Sequence, residues 1–290
     1  MDAAVLASGK AHRDENFPVA SWLIRKTHRP AILAFYRFAR AADDVADHPS
    51  ADRNEKFRIL ECMWRTLAGE PGDSIEAADL RRHLLERDLT ARHGLDLLEA
   101  FRRDVTKLRY RDWDELMDYC RFSAAPVGRF VLDVHGESPT TWPASDALCA
   151  ALQVINHLQD CGKDFRALDR VYLPLDLLHE TGAQVSDLGM RQAPQPLRQA
   201  ISKLALRAQS LLACSRMFAG QIRDRRLAME VAVIQRLAED LARRLVARDP
   251  LSDRVHHNLS ESLLLALAGG AGALLSLFRW RGRGGRASTA

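Results

Sequence analysis

The 290-residue chain is 47% hydrophobic and 28% charged, with a formal net charge of +4; this balance argues against disorder and against a nucleic-acid partner, and the length suits one large core. Its five cysteines, Cys62, Cys120, Cys149, Cys161 and Cys214, are scattered and form no C-x-x-C pair, which argues against a disulfide framework or a zinc knuckle and fits a reducing, cytoplasmic compartment. Met1 to Glu15 is mixed and polar, without the apolar core of an export signal.

Apolar residues recur at intervals of three and four, as in Ile32, Phe35, Ala39, Ala42 and Ala46, or Leu148, Leu152 and Ile155, and sustained strand-like alternation is scarce. An all-α, single-domain helix bundle is expected. The pattern predicts helices over 18–26, 30–48, 52–69, 76–91, 94–109, 112–135, 145–165, 196–219, 221–247 and 259–278. Pro30 suits a first helical turn, and Gly69-Glu70-Pro71-Gly72 is a breaker. Gly136 to Pro143 is rich in turn residues, and Gly189 to Pro196 reads as a loop. The helical domain is assigned to 1–280 and a basic tail to 281–290.

The first polar helix face follows Pro30, where Tyr36, Arg40, Asp43 or Asp44, and Asp47 share one side. A solvated stripe would show the same charges, but Ala39, Ala41, Ala42, Val45 and Ala46 leave little other polar surface on these turns. Carboxylates at i and i+4 repel by roughly 0.2–0.5 kcal/mol in an isolated helix, and more where water is excluded. They call for a counter-charge such as Mg²⁺, which takes one or two carboxylates and completes its shell with water and phosphate oxygens. Arg40, one turn earlier, is placed to bind a phosphate oxygen.

Tyr119-Cys-Arg-Phe-Ser123-Ala-Ala-Pro126-Val-Gly128 comes next. Pro126 should kink its helix. Ser123, Ala124 and Gly128 either pack helices tightly or make room for a bulky apolar substrate, with freed carbonyls facing the cavity.

The second acid face comprises Gln153, Asn156, Asp160 and Asp164, with Gln159 adjacent and Leu148, Leu152, Ile155 and Leu158 opposite. Lys163, Arg166, Arg170 and Tyr172 follow. The basic residues either clamp a diphosphate or complement the helix dipole. His135, His157 and His256-His257 form no recognised zinc motif, and the lack of a dinucleotide fingerprint argues against a nicotinamide. At the C-terminal end Leu263 to Phe278 is apolar and is followed by Arg279, Arg281, Arg283 and Arg286. It reads as a last core helix with a basic tail, or as an attachment to an anionic membrane surface.

Two acid faces meeting across a bundle would hold several Mg²⁺ ions and a diphosphate ester, whose ionisation leaves a carbocation in an apolar pocket. Phe17, Trp22, Phe35, Tyr36, Phe38, Tyr119 and Phe122 are available as its walls.

The segments Asn16-Phe-Pro-Val-Ala-Ser-Trp22, Phe35 to Asp47, Tyr119 to Gly128, Gln153 to Asp164 and Arg170-Val-Tyr-Leu-Pro174 together resemble the squalene and phytoene synthase family over nearly the whole chain. The resemblance implies the isoprenoid synthase bundle with a central diphosphate-binding cavity, and two or three Mg²⁺ ions on Asp43, Asp44, Asp47, Asp160 and Asp164. It places Tyr36, Arg40, Tyr119 and Asn156 in catalytic positions. Phe17, Phe35, Ser123, Gly128, Gln153, Lys163, Arg170 and Tyr172 would contact substrate. Ala125-Pro126, where the family more often has Ala-Gly, points to the branch that converts presqualene diphosphate and water to hydroxysqualene for hopanoid biosynthesis. Condensation of farnesyl diphosphate to presqualene diphosphate or squalene, and phytoene synthesis, are the neighbouring activities. A chain-elongating prenyltransferase would need a second paired-aspartate motif, and a non-catalytic prenyl-lipid scaffold would need no acids. The implied partner is an isoprenoid diphosphate, with pathway enzymes or the inner membrane face as further candidates.

Overall fold

The computed structural model describes residues 24–257, and among these no β-strand occurs. The helices are α1 (Arg29–Asp47), α2 (Arg53–Ala68), α3 (Ile75–Leu85), α4 (Arg92–Asp104), α5 (Trp113–Ser123), α6 (Ala125–Val134), α7 (Trp142–Leu168), α8 (Leu175–Thr181), α9 (Gln195–Ser215), α10 (Phe218–Gln221) and α11 (Arg225–Ala247). Phe17, Trp22, the helix predicted over 259–278 and the basic tail lie outside the described residues. Of the helix predicted over 18–26, residues 24–26 are described and are not helical.

Local chemistry sets most boundaries. Pro30 occupies the first turn of α1, where its missing N–H costs nothing. Asp52, Ser74, Asp112 and Asp224 cap α2, α3, α5 and α11 by accepting N–H groups of the first turn. Gly69 ends α2 at φ +92°, a left-handed conformation that glycine adopts without strain. The helix predicted over 112–135 is two helices, because the chain breaks at Ala124 and Pro126 falls in the first turn of α6. A proline there starts a helix instead of kinking one.

Two apolar clusters form the core. One joins α1 to α4 with Phe130 and Val134 of α6, around Phe38, Leu60, Met63 and Leu80. The other surrounds α7, which packs on α5, α6, α9 and α11. In α1, Ile32, Phe35, Phe38, Ala42 and Val45 are buried. Burial of a phenylalanine side chain contributes about 1.5–3 kcal/mol, against about 0.2–0.5 kcal/mol for one like-charge pair, so the apolar face holds α1 helical despite its acids.

The links that follow α4 and α7 lie side by side. Val171 N–H donates to Leu108 O at 2.9 Å and Leu175 N–H to Tyr110 O at 2.9 Å, around an isolated parallel bridge between Arg109 and Val171. This pairing carries Arg170 and Tyr172 to the end of α4.

Candidate active site

Two cavities follow one another along the same helices. A polar cavity of about 260 Å³ is lined by Asp43 and Asp47 of α1, Asp104 at the end of α4, Ser123 of α5, Gln153, His157 and Asp164 of α7, and Arg170, among others. An apolar cavity of about 360 Å³ has Phe35, Tyr36 and Ala39 of α1, Gly128 and Phe130 of α6, and Leu148 and Leu152 of α7 in its wall. Ala39 and Asp43 are one turn apart on α1, and Leu152 and Gln153 are consecutive on α7. A helical turn rises about 5.4 Å, so the acid-lined space lies about one turn further along α1 and α7 than the apolar one.

The acids are held differently. Arg40 bridges Asp43 Oδ2 at 2.9 Å and Asp44 Oδ1 at 2.7 Å. Asp44, expected among the metal ligands, is buried and stands outside the polar cavity's lining. Arg40, expected to face a phosphate, is occupied by these two carboxylates. Burial, then the neighbouring Asp47 charge, pushes Asp43 upward, although 36% of its side chain remains open to the cavity.

Arg170 is the centre of a buried network. Its Nη1 donates to Asp47 Oδ1 at 2.8 Å and to Tyr172 Oη at 3.3 Å, and its Nη2 donates to Asp104 O at 3.0 Å. Burial opposes the guanidinium charge, but Tyr172, Asp104 and Asp47 outweigh it and hold Arg170 cationic. Asp104 accepts from Tyr119 Oη at 2.8 Å and Tyr172 Oη at 3.4 Å. Burial pushes its carboxyl up to about 7, with Arg170 pulling the other way. Three of the four tyrosines, Tyr110, Tyr119 and Tyr172, pack together here, and burial raises all three phenols.

On α7, Gln153 Nε2 lies 3.1 Å from His157 Nε2. The His157 ring stacks on Tyr172 at 3.4 Å. Burial, then Arg170, lowers His157 to about 3, so the imidazole is neutral and accepts from the amide. Asp164 is pushed up to about 7 by burial and by Asp160. Asp160 and Asn156 are half-buried and stand outside the polar cavity's lining. Lys163 is exposed and lines neither cavity, contrary to its expected contact with substrate. Gln159 is turned inward, tying α7 to Val255 O.

Asp104 and His157 are site residues that the sequence reading missed. Asp104 is a lone acid at a helix end, and His157 was weighed only as a zinc ligand; each acquires its partners through the paired links. Phe35 stacks on Phe130 at 4.0 Å, Ser123 joins the polar cavity and Gly128 the apolar one.

Among the described residues, His28, His135 and Asp224 are the three potential ligand groups whose atoms lie mutually within 4.8 Å. Both Asp224 oxygens are engaged, one by the N–H groups of Arg226 and Leu227 and the other by Arg25 Nε at 3.0 Å. The trio therefore straps the segment before α1 to α6 and α11. The polar-cavity aspartates are more widely spaced; burial first, and then the neighbouring carboxylates, pushes Asp43 and Asp164 upward, a cost to the charged form that a divalent cation would offset. That donor set suits a hard ion that takes one or two carboxylates and leaves its other positions to water and phosphate.

No helix among the described residues is long and apolar enough to cross a membrane.

Residues 10–261 match the squalene/phytoene synthase family. A hydroxysqualene synthase of Zymomonas mobilis is 58% identical over 278 residues, covering 95% of this chain and 94% of its own. One from Rhodopseudomonas palustris is 58% identical over 88% of this chain and 87% of its own. The crystal structure of squalene synthase HpnC from Alicyclobacillus acidocaldarius superposes with a TM-score of 0.70 at 33% identity, over 83% of this chain and 90% of that one.

Proposed function

The chain belongs to the squalene/phytoene synthase family, and on that premise we propose that it converts presqualene diphosphate and water to hydroxysqualene and diphosphate. The observation that carries this reading is the succession of an acid-lined cavity and an apolar one along α1 and α7. It matches a substrate with a charged diphosphate head and a long hydrocarbon body. The relatives named hydroxysqualene synthase, at 51–58% identity, support the same reaction.

Asp43, Asp47 and Asp164 of the polar cavity, with Asp44 and Asp160 beside them, would hold two or three Mg²⁺ ions with the diphosphate. When bound, Mg²⁺ neutralises the departing diphosphate and makes it a better leaving group. The residues of the chain orient the reactants and exclude water. Arg170 fixes Asp47 against the end of α4, and the tyrosines around Asp104 fix Arg170. Arg40 keeps Asp43 on the cavity side of α1. Gln153, donating to neutral His157, leaves its amide oxygen to accept from a metal-held water without adding charge. As the C–O bond breaks, its electron pair leaves with the diphosphate, and the cation remains among Phe35, Phe130 and aliphatic side chains that delay its capture.

Purified protein given presqualene diphosphate and Mg²⁺, with no nicotinamide, is expected to yield hydroxysqualene. Asp160→Asn should lower turnover by at least about 10²-fold with the helical content unchanged, in line with the loss of one charge-stabilising group. Consumption of farnesyl diphosphate alone would overturn the reading in favour of condensation, and full activity in the variant would favour a site that does not use these acids.

A further inference from the structure

Among the described residues, the wall of the apolar cavity is aliphatic or aromatic almost throughout, and Glu230 of α11 is the charged side chain in it. Glu230 shares a helix face with Leu227, Val231 and Ile234, all in the same wall, and only 4% of its surface is exposed. On the α7 side of the cavity, Ser145 Oγ is shut off from solvent without a hydrogen-bond partner. It points toward Gly128 beside the Cys149 thiol, since a β-carbon on Gly128 would lie 2.4 Å from Ser145 Oγ and 2.6 Å from Cys149 Sγ.

A carbocation freed from diphosphate in a dry pocket can lose a proton, rearrange or meet water. Hydration needs a water molecule kept inside the pocket. A buried water requires two to four polar partners, which this wall offers at few points.

We propose that Glu230 holds the water that captures the carbocation and takes up its proton. The water oxygen forms the new C–O bond with the cationic carbon, one of its O–H bonds breaks, and the proton passes to the Glu230 carboxylate, leaving the neutral alcohol. Ser145 Oγ, turned from Gly128 toward the cavity, is the second polar contact for that water. This inference rests on the proposed reaction, because it concerns the fate of the cation after diphosphate has left. Tyr36, also in the wall and one turn before Arg40 on α1, is the less suitable base, since a phenol at neutral pH is protonated.

The test separates ionisation from capture. Wild type, Glu230→Gln and Glu230→Asp are each given presqualene diphosphate and Mg²⁺, and both diphosphate release and the product spectrum are measured. Glu230→Gln keeps the shape and the hydrogen bonding but cannot accept the proton. Its diphosphate release should stay within about threefold of wild type, while the hydroxysqualene share of the product falls at least about tenfold, the lower side of what general-base catalysis contributes. Hydrocarbons formed by proton loss should rise in its place, and Glu230→Asp should restore part of the alcohol. An unchanged hydroxysqualene share in Glu230→Gln overturns the proposal. So does a parallel fall in diphosphate release with the product spectrum unaltered, which would make Glu230 a residue that seats the substrate. If wild type releases no diphosphate from presqualene diphosphate, the proposed function itself fails, and that result is distinct from either of the others.

Discussion

Asp104 shows how a buried carboxylate can serve position at the expense of stability. It is fully enclosed, accepts from two tyrosines and lies beside Arg170, yet its protonation is raised, so its surroundings disfavour the charge. Breaking an ion pair strands its partner, whereas a neutral isostere removes the desolvation cost along with the attraction. Asp104→Asn is therefore expected to unfold within about 1 kcal/mol of wild type, or to be more stable, by chemical denaturation. Its diphosphate release should nevertheless fall by about tenfold or more, because Arg170 loses a charge that holds it against Asp47. A loss of more than about 3 kcal/mol in that variant would show that the Asp104 charge is a stability element after all.

At the scale of elements, α6 and α7 approach each other through Gly128. Its β-carbon position falls 2.4 Å from Ser145 Oγ and 2.6 Å from Cys149 Sγ. Both are short side chains that can turn aside only into the apolar cavity or the neighbouring helix. Gly128→Ala should cost about 1–3 kcal/mol, visible as a lowered Tm, and a Tm equal to wild type would mean that the two helices slide apart freely. The same elements show what the sequence made legible. Asp43, Asp47, Asp160 and Asp164 stand out because helical spacing stacks like charges in alanine-rich surroundings, a pattern that folding alone does not favour. The break at Ala124 was less visible, since Pro126 fits both a kinked helix and a new first turn. Asp44 could not be separated from Asp43 by spacing, because adjacent residues point about 100° apart and only packing decides which faces the cavity. Glu230 was hidden altogether: α11 carries charges along much of its length, and one glutamate on it looks like part of a solvated stripe until α1, α6 and α7 close over it.

For the whole molecule, the raised carboxyls set a pH dependence. Asp104 and Asp164 move from an ordinary value of 3.8 up to about 7, so between these limits the folded chain binds more protons than the unfolded one. Stability contributed by these groups is complete below about pH 4 and is lost as pH rises through about 7. In the presence of a chelator the Tm should therefore fall by a few degrees across that window. Mg²⁺ binds the deprotonated acids and should raise the Tm more at pH 8 than at pH 6. A stabilisation by Mg²⁺ that does not vary with pH would exclude Asp164 as one of its ligands. The Arg170–Asp47 bridge joins residues 123 apart in sequence and lies where the two apolar clusters meet. A contact of that span forms only after a long loop has closed, so the site depends on both clusters being in place. A partial opening along this seam would silence the enzyme while each half kept its helices, which makes the meeting of the two halves, and not the integrity of either one, the condition for turnover.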